Sequence, residues 1–473
     1  MRELITILLT HEDIDTRRNA AEELAESKEM PAITALTTVL EDNSTGVRDA
    51  AARSLLSIGG PTVARAIANY IANENITTRN LAAKLLMQLG AASIPALLPF
   101  VQDPNKDTRK FAVDILGEIR NSGCVYYLLP LLQDDDSNVI CSTLEALGNI
   151  KSVQAIPAIC EAFEAHPFAR TAAAEALGKI ANPNAKEFLL TKLKGGLEER
   201  LYEPIELFAI LEAIGNVGDQ KVVNYLLEHA RDVEGKLRNM LLHAAVQIIE
   251  QQETAFHFPA ALRSGFLSAL QDDDENIRIS AVKGLSQFEE QDVTRALLSV
   301  LGISEELDFL LFSELLGRDD VFRMAVDALE EARIRCKKEL ILLIGKLAFE
   351  AIRRYKYFKS YQIDGSLVQR AFELIMNEWR LADQEVRSII LDTLFRLNGD
   401  QAVERMNQIV SDPDPWIRVH VIELLSDVKD QRAAIFIAQF LNDDDEMVRE
   451  AAISNLQARG IAIDIPQWGE PEY

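Results

Sequence analysis

The sequence predicts an all-α protein, an α-solenoid (superhelix) of about fourteen stacked helical hairpins. Three observations carry that expectation. A short pattern recurs along 473 residues, with most repeats 30 or 31 residues apart. Glycine (22) and proline (15) are sparse, and strand-like alternation is absent. Acidic turns (QDPNKD, QDDDSN, QDDDEN, SDPDPW, NDDDEM) punctuate the chain at the same spacing. A fixed period of this length means supersecondary units that bury their apolar faces against one another.

Each unit is anchored on one position, an arginine in most repeats. It occurs in GVRDAAARSLLSIGG around Arg48, DTRKFAVDILGEI around Arg109, FARTAAAEALGKI around Arg170, NIRISAVKGLSQF around Arg278 and MVREAAISNLQARG around Arg449. The marks are 17, 48, 79, 109, 140, 170, 207, 238, 278, 309, 337, 387, 418 and 449; Ile140, Leu207, Phe309 and Lys337 lack the arginine and are placed by the apolar-Gly pair downstream. The second helix of each hairpin starts near the mark. Its residues at −1, +3, +6, +7 and +10 share one face, as Val47, Ala51, Ser54, Leu55 and Ile58 do. Small residues at +2 and +3 let neighbouring helices approach closely.

The first helix is shorter and carries proline near its start (Pro31, Pro61, Pro95, Pro157), where a missing N–H costs nothing. Pro99 and Pro130 fall later and should bend their helices. Between the two helices an aspartate stands six residues before the mark (Asp42, Asp103, Asp134, Asp232, Asp272, Asp412, Asp443), an expected N-cap.

The turn aspartate, the Val/Ile-Arg pair, the alanine cluster and the Leu-Gly together resemble HEAT repeats, of the short HEAT-like kind that also occurs in phycobilin lyases. The resemblance covers nearly all of residues 1–460. It implies one continuous array, with 461–473 as a C-terminal tail. It also implies that turn aspartate and arginine pair across neighbouring repeats as a stacking ladder, a role that falls on Asp103, Arg109, Asp272, Arg278, Asp443 and Arg449.

Composition narrows the function. The formal charge of −25 repels a phosphate backbone, so nucleic acid is not expected as a partner, and basic protein segments are. Charges interrupt every apolar run, so no membrane span is expected. Cys124, Cys141, Cys160 and Cys336 have no metal-ligand spacing and read as reduced thiols of a bacterial cytoplasmic protein. The six histidines form no H-E-x-x-H, and the single His-Glu pair is His11-Glu12, too few for a HEAT-like di-iron hydroxylase. No nucleotide-binding or nucleophile motif is present, and no metal or cofactor is expected.

Two stretches stand out as binding candidates. In HEAT arrays the second helices line the concave side, and +5 is an outward position. Four consecutive acids occupy it: Asp114, Glu145, Glu175 and Glu212. The largest break in period lies between 337 and 387, where 349–366 is inserted. The expectation is an overlong second helix from about Lys337, then a loop ended by Asp364-Gly365. It carries a basic-aromatic run, Arg353, Arg354, Tyr355, Lys356, Tyr357, Phe358, Lys359 and Tyr361. That run suits a docking site for anionic and planar groups, or an internal clamp in which Tyr355, Phe358 and Tyr361 pack on the next repeat. The tail, with Trp468 and Tyr473, suits a cap on the last repeat or a short binding motif. The expected function is a non-enzymatic protein-protein interaction scaffold or adaptor; the alternative is a phycobilin-lyase-like chromophore lyase subunit.

Overall fold

The computed structural model describes every residue except 254, 319, 332–335, 359–362, 407–408, 429–430 and 462–473, and gives the backbone alone for 354–358. Among the described residues the chain is helical with no strand, an α-solenoid of helical hairpins. The second helices number fourteen, one per mark. They are α1 Ile14–Glu23, α2 Thr45–Ile58, α3 Ile76–Leu89, α4 Lys106–Ile119, α5 Ser137–Ile150, α6 Arg170–Ile180 and α7 Pro204–Val217, followed by α8 Gly235–Gln251, α9 Glu275–Leu285, α10 Glu305–Leu315, α11 Lys337–Phe358, α12 Gln384–Glu404, α13 Pro415–Ser426 and α14 Glu446–Ala458. The chain packs as two compact units, Met1–Val233 with Met240–Phe256, and Glu234–Asn239 with His257–Tyr473.

The helix starts differ from expectation in an instructive way. The aspartate six before the mark is not the cap. The cap stands two residues later: Asn105, Asp136, Asp274, Asp414 and Asp445 each accept the N–H two residues on at 2.8–2.9 Å. The earlier aspartate instead folds the turn. Asp103, Asp134, Asp272, Asp412 and Asp443 accept the cap residue's own N–H at 2.8–3.1 Å. An Asx turn feeding an N-cap explains why these turns hold two or three acids and not one.

The second helices end at a shared position too. The residue at +11 takes positive φ in Gly59 (+63°), Gly90 (+61°), Arg120 (+53°), Lys151 (+55°), Ala181 (+50°) and Gly460 (+74°). A left-handed residue stops the helix and frees the chain to reverse.

The first helices start on Pro31, Pro61, Pro95 and Pro157, as expected. At Pro99 and Pro130 four-residue α-turns tighten into 3-10 helices, Leu98–Gln102 and Leu129–Gln133. The stretch Ile76–Gln102 has the length and hydropathy of a membrane span. It reverses at Gly90, and its apolar residues Leu85, Leu86, Leu97 and Val101 are buried inside the hairpin. In α2, Val47, Ala51, Ser54 and Leu55 are buried while Ile58 is half-buried; Ser54 Oγ donates to Ala21 O of the previous repeat at 2.8 Å.

Irregular spacing has local causes. The extra residues before α7 lengthen the first helix to Pro183–Glu198. Those before α9 form an extended strap in which Phe258 N donates to Gln287 Oε1 at 3.0 Å and the Phe258 ring meets Phe266 edge-on. The insertion after α11 is in part helix. Where α4 and α5 have 14 residues, α11 has 22, and the next helix, Gly365–Glu378, is capped by Asp364. Helix α12 is interrupted at Asn398, which is non-helical; beyond it the same element supplies the next hairpin's first helix.

Candidate functional site

The repeat arginine joins successive hairpins. Arg109 donates from Nη1 to the Asp103 carbonyl of its own turn at 2.9 Å. It grips Asp134 of the next turn through Nε at 2.8 Å and Nη2 at 2.7 Å. Arg17 holds Asp42 by the same fork at 2.9 Å twice, and Arg418 holds Asp443 at 2.8 and 2.7 Å. Arg387 reaches Asp412 at 3.2 Å. A planar fork on a carboxylate suits a half-buried site better than lysine could. The Arg109 guanidinium holds the Asp134 carboxyl below its usual range.

The ladder has gaps. Asp272 is met by Asn239 Nδ2 at 2.8 Å instead of an arginine. Among the described residues Arg278 bonds the Asp272 and Asp273 carbonyls of its own turn and no carboxylate, and its buried Nε finds no acceptor. Arg170 uses Glu206, from the first turn of α7, at 3.2 Å, and lies over the Phe163 and Tyr202 rings.

Residues 1–90, 94–177 and 375–457, more than half of the chain, match the family of HEAT repeats. The chain belongs to the HEAT-repeat family. Over 185 residues it is 25% identical to an uncharacterised phycocyanin operon protein Z from Pseudanabaena tenuis (strain PCC 7409), covering 36% of this chain and 91% of that one. It overlays the Kap95p structure, whose binding induces the switch loops of RanGDP to adopt the GTP-bound conformation, with a TM-score of 0.50 at 14% identity, over 97% of this chain and 71% of that one. The overlay with the CpcE–CpcF complex of phycocyanin lyase from Nostoc sp. PCC7120 has a TM-score of 0.33 at 18% identity, over 54% of this chain and 94% of that one. The architecture shared with Kap95p shows the fold.

In this HEAT array the acidic positions lie on the most tightly packed second helices. A Cβ on Gly117 would stand 2.8 Å from Ala146 Cα, one on Gly148 2.8 Å from Ala176 Cα, and one on Gly178 2.9 Å from Ala213 Cα. Glycine at +8 therefore seats on alanine at +6 of the next repeat, and α4 to α7 stack in register. Two of the four acids have partners: Asp114 takes Lys110 of its own helix at 2.8 Å, and Glu212 meets His243 Nε2 at 3.3 Å. Glu145 and Glu175 are exposed, with no ion pair among the described residues. Polar rungs run beside them at +9: Lys179 Nζ donates to Asn149 Oδ1 at 3.0 Å, and Asn149 Nδ2 to Glu118 at 3.4 Å. The Lys110–Asp114 pair was readable as an i,i+4 spacing; the His243 contact crosses repeats and was not.

Of the basic-aromatic run, Arg353 lies on α11, exposed and paired with Glu350 at 3.3 Å. Arg354, Tyr355, Lys356, Tyr357 and Phe358 are on the same helix, and their side chains lie outside the description; Lys359 and Tyr361 lie outside the described residues, as does the tail beyond Ile461.

Two grooves were not anticipated. One of about 580 Å³, between α12 and α13, is lined by Glu385, Ser388, Trp416, His420 and Glu423, with Trp416 62% exposed. His420 bridges Ser388 Oγ at 2.9 Å and Asp392 at 3.0 Å. This resembles a Ser-His-Asp constellation only in composition. Ser388 sits inside a helix whose N–H groups are spent on its own carbonyls, so no oxyanion donors face it. The contact is an inter-repeat rung. The other groove, about 630 Å³, is lined by Arg295, Met324, Asp327, Glu330, Cys336 and Arg370; Arg370 is held by Asp327 at 2.7 Å and by Glu330. Burial raises the pKa of all four thiols, that of Cys160 to about 11, so none is an activated nucleophile. Among the described residues no three His, Cys, Asp or Glu side chains cluster as metal ligands would.

Proposed function

We propose that this chain is a non-enzymatic scaffold that holds a partner protein by a basic segment along its second helices. Residues 1–460 serve as the array, in a bacterial cytoplasm whose reducing conditions suit the free thiols Cys124, Cys141 and Cys160. One observation carries the reading: Glu145 and Glu175 stand exposed, with no cation paired to them among the described residues, at equivalent places on neighbouring helices. Glycine-on-alanine packing fixes the spacing of those helices. The carboxylates are thus presented on a rigid support, and Asp114 and Glu212 extend the row with partners that a stronger cation can replace. Kap95p, which shares the fold, also holds a protein.

The test is charge reversal. Asp114→Lys, Glu145→Lys and Glu175→Lys are combined, and affinity capture from native lysate is compared with the unaltered chain. Loss of a captured protein with an unchanged melting temperature supports the reading; identical capture overturns it.

The likeness to the phycocyanin operon protein favours a second reading, a phycobilin-lyase-like chromophore lyase subunit. Co-expression with bilin and an acceptor protein discriminates. A shifted bilin absorbance that depends on this chain selects the lyase, and an unshifted spectrum removes it.

A further inference from the structure

The long helix α11 creates a surface that the regular repeats do not have. In three repeats an arginine stands at +9 or +10 near the end of the second helix. Arg318 donates to the Phe288 and Leu285 carbonyls at 2.6 and 2.9 Å, closing the end of the preceding helix, α9. Arg459 does the same to Ser426 and Val428 at 3.0 and 2.9 Å, closing α13. Arg396 is the third, on α12. The helix before it is α11, which does not end at that level but runs three turns further, so its carbonyls are spent on its own ladder. Arg396 is left exposed, its guanidinium 5.8 Å from the centre of the Phe349 ring. One turn earlier on α11, Lys346 lies 4.6 Å over the Phe312 ring of α10.

Neither cation has a carboxylate within ion-pair distance among the described residues, although the chain carries 74 acids. The nearby Arg353 is taken by Glu350. Phe349 and Ile352 stand 52% and 54% exposed beside these cations, one turn apart. The result is a strip of Phe312, Lys346, Phe349, Arg396 and Ile352: two cations stacked on aromatic faces with no carboxylate partner among the described residues, and an exposed apolar ridge. It fits an extended acidic segment with an aromatic anchor.

The chain contains such a segment. Beyond Ile461 the sequence AIDIPQWGEPEY carries Asp464, Glu470 and Glu472, no basic residue, and Trp468. Two prolines suit it to an extended form. It departs from the same end of the second helices as the strip: the α14 end at +9 and Arg396 at +9 share a register column, as the contacts of Arg459 with α13 and of His420 with Ser388 require. Crossing from α14 past α13 and α12 to the ridge on α11 takes three helix spacings, about 24–30 Å. Seven extended residues from Ile461 to Trp468 span about 23–25 Å, and the length of the Trp468 side chain itself covers the remainder to the ridge. We propose that residues 462–473 lie back across the second-helix ends of their own array, with Trp468 on the Phe349–Ile352 ridge and Glu470 and Glu472 against Arg396 and Lys346. This stands apart from the acidic row on α4 to α7 and does not depend on it.

The experiment places p-benzoylphenylalanine at position 468 of the full chain and maps the photo-cross-links by mass spectrometry. Mixed light and heavy isotope-labelled chains separate contacts within one molecule from contacts between two. The expected product joins position 468 to peptides of α11 or α12 in the same chain. Its yield should fall at least several-fold in 0.5 M salt and in the Lys346→Glu, Arg396→Glu variant, and also in the milder Lys346→Gln, Arg396→Gln variant if the first is unstable. Cross-links to α14 or the helix Gln431–Gln439 (a cap on the last repeat), cross-links to a second copy, no cross-link, or a yield indifferent to salt and to both variants overturns the proposal.

Discussion

The helices α4 to α7 and the helices α10 to α12 are built on one register and end with opposite surfaces. In the first group, glycine at +8 seats on alanine at +6, α4, α5 and α6 stop at a left-handed residue, and the +5 positions are acids. In the second, Gly345 seats instead on the hydroxyl of Thr393, α11 overruns its stop, and cations are left lying on aromatic rings. Regular repeats consume their own polar groups. A single failure to terminate a helix strands the arginine that would have closed it. Surface character in a repeat array therefore follows from where helices stop as much as from which residues point outward.

The comparison can be broken first at the ladder. Arg418 and Asp443 are each only 9% exposed, so Arg418→Ala strands a largely buried carboxylate and should cost about 3 kcal/mol in denaturant unfolding. Arg278→Ala removes no cross-repeat carboxylate and should cost about 1 kcal/mol. Equal costs would mean that the carboxylate fork does not couple the repeats.

Helix contact comes next. Gly148→Ala drives a methyl against the Ala176 backbone and should cost about 2 kcal/mol, whereas Gly345→Ala meets the Thr393 hydroxyl, which has to turn away from Ile341 O, and should cost about 1–1.5 kcal/mol. Thermal melts of both variants measure the difference, and a larger loss at Gly345 would reverse the order.

Acid sharpens the ladder further. The Asp134 carboxyl has a depressed pKa, chiefly because Arg109 bonds it. Its stabilisation is complete above the unfolded value of about 3.9 and is lost as pH falls through the folded value. Asp134→Asn should therefore be markedly less stable than the parent at pH 7, and the gap should close as the pH is lowered below about 4. A gap constant with pH would remove Arg109 as the cause.

The smallest effect lies at the helix stops. Ala181 holds φ +50° where three other repeats place Gly59, Gly90 and Gly460, so Ala181→Gly should gain about 0.5–1 kcal/mol. Gly59 combines φ +63° with ψ −174°, a region closed to other residues, and Gly59→Ala should lose at least about 1 kcal/mol. Chemical denaturation with both variants in parallel reads the pair.

Much of this was legible in the residues. The marks at 17 to 449 located all fourteen second helices, including the four that lack an arginine, at Ile140, Leu207, Phe309 and Lys337; at Gly148, Gly215 and Gly345 the glycine downstream is set by contact with the next repeat. The turn was misread in one respect. Asp103 and Asn105 are both good caps by composition, and only the geometry shows that the first folds the turn and the second caps the helix. The ladder's direction was legible in Arg109 but not its gaps, since Arg278 looks like any other mark until the residue 25 positions on proves to be Ile303. Of the candidate surfaces, the four acids were visible as a column. The Phe349–Arg396 contact was not, because it depends on how far α11 runs, and helix length past an expected stop is written only weakly in side-chain pattern.

The forked arginine has one more consequence. Where the ladder is complete, as in the hairpin of Asp412 and Arg418, the unit supplies a guanidinium to the hairpin after it and a carboxylate to the one before. A copied unit therefore arrives with both halves of the clasp, and inserting it leaves no half unmatched. Duplication or deletion of such a unit between two others like it costs the ladder nothing at its joints. An array held this way can change its length over evolution while keeping its joints.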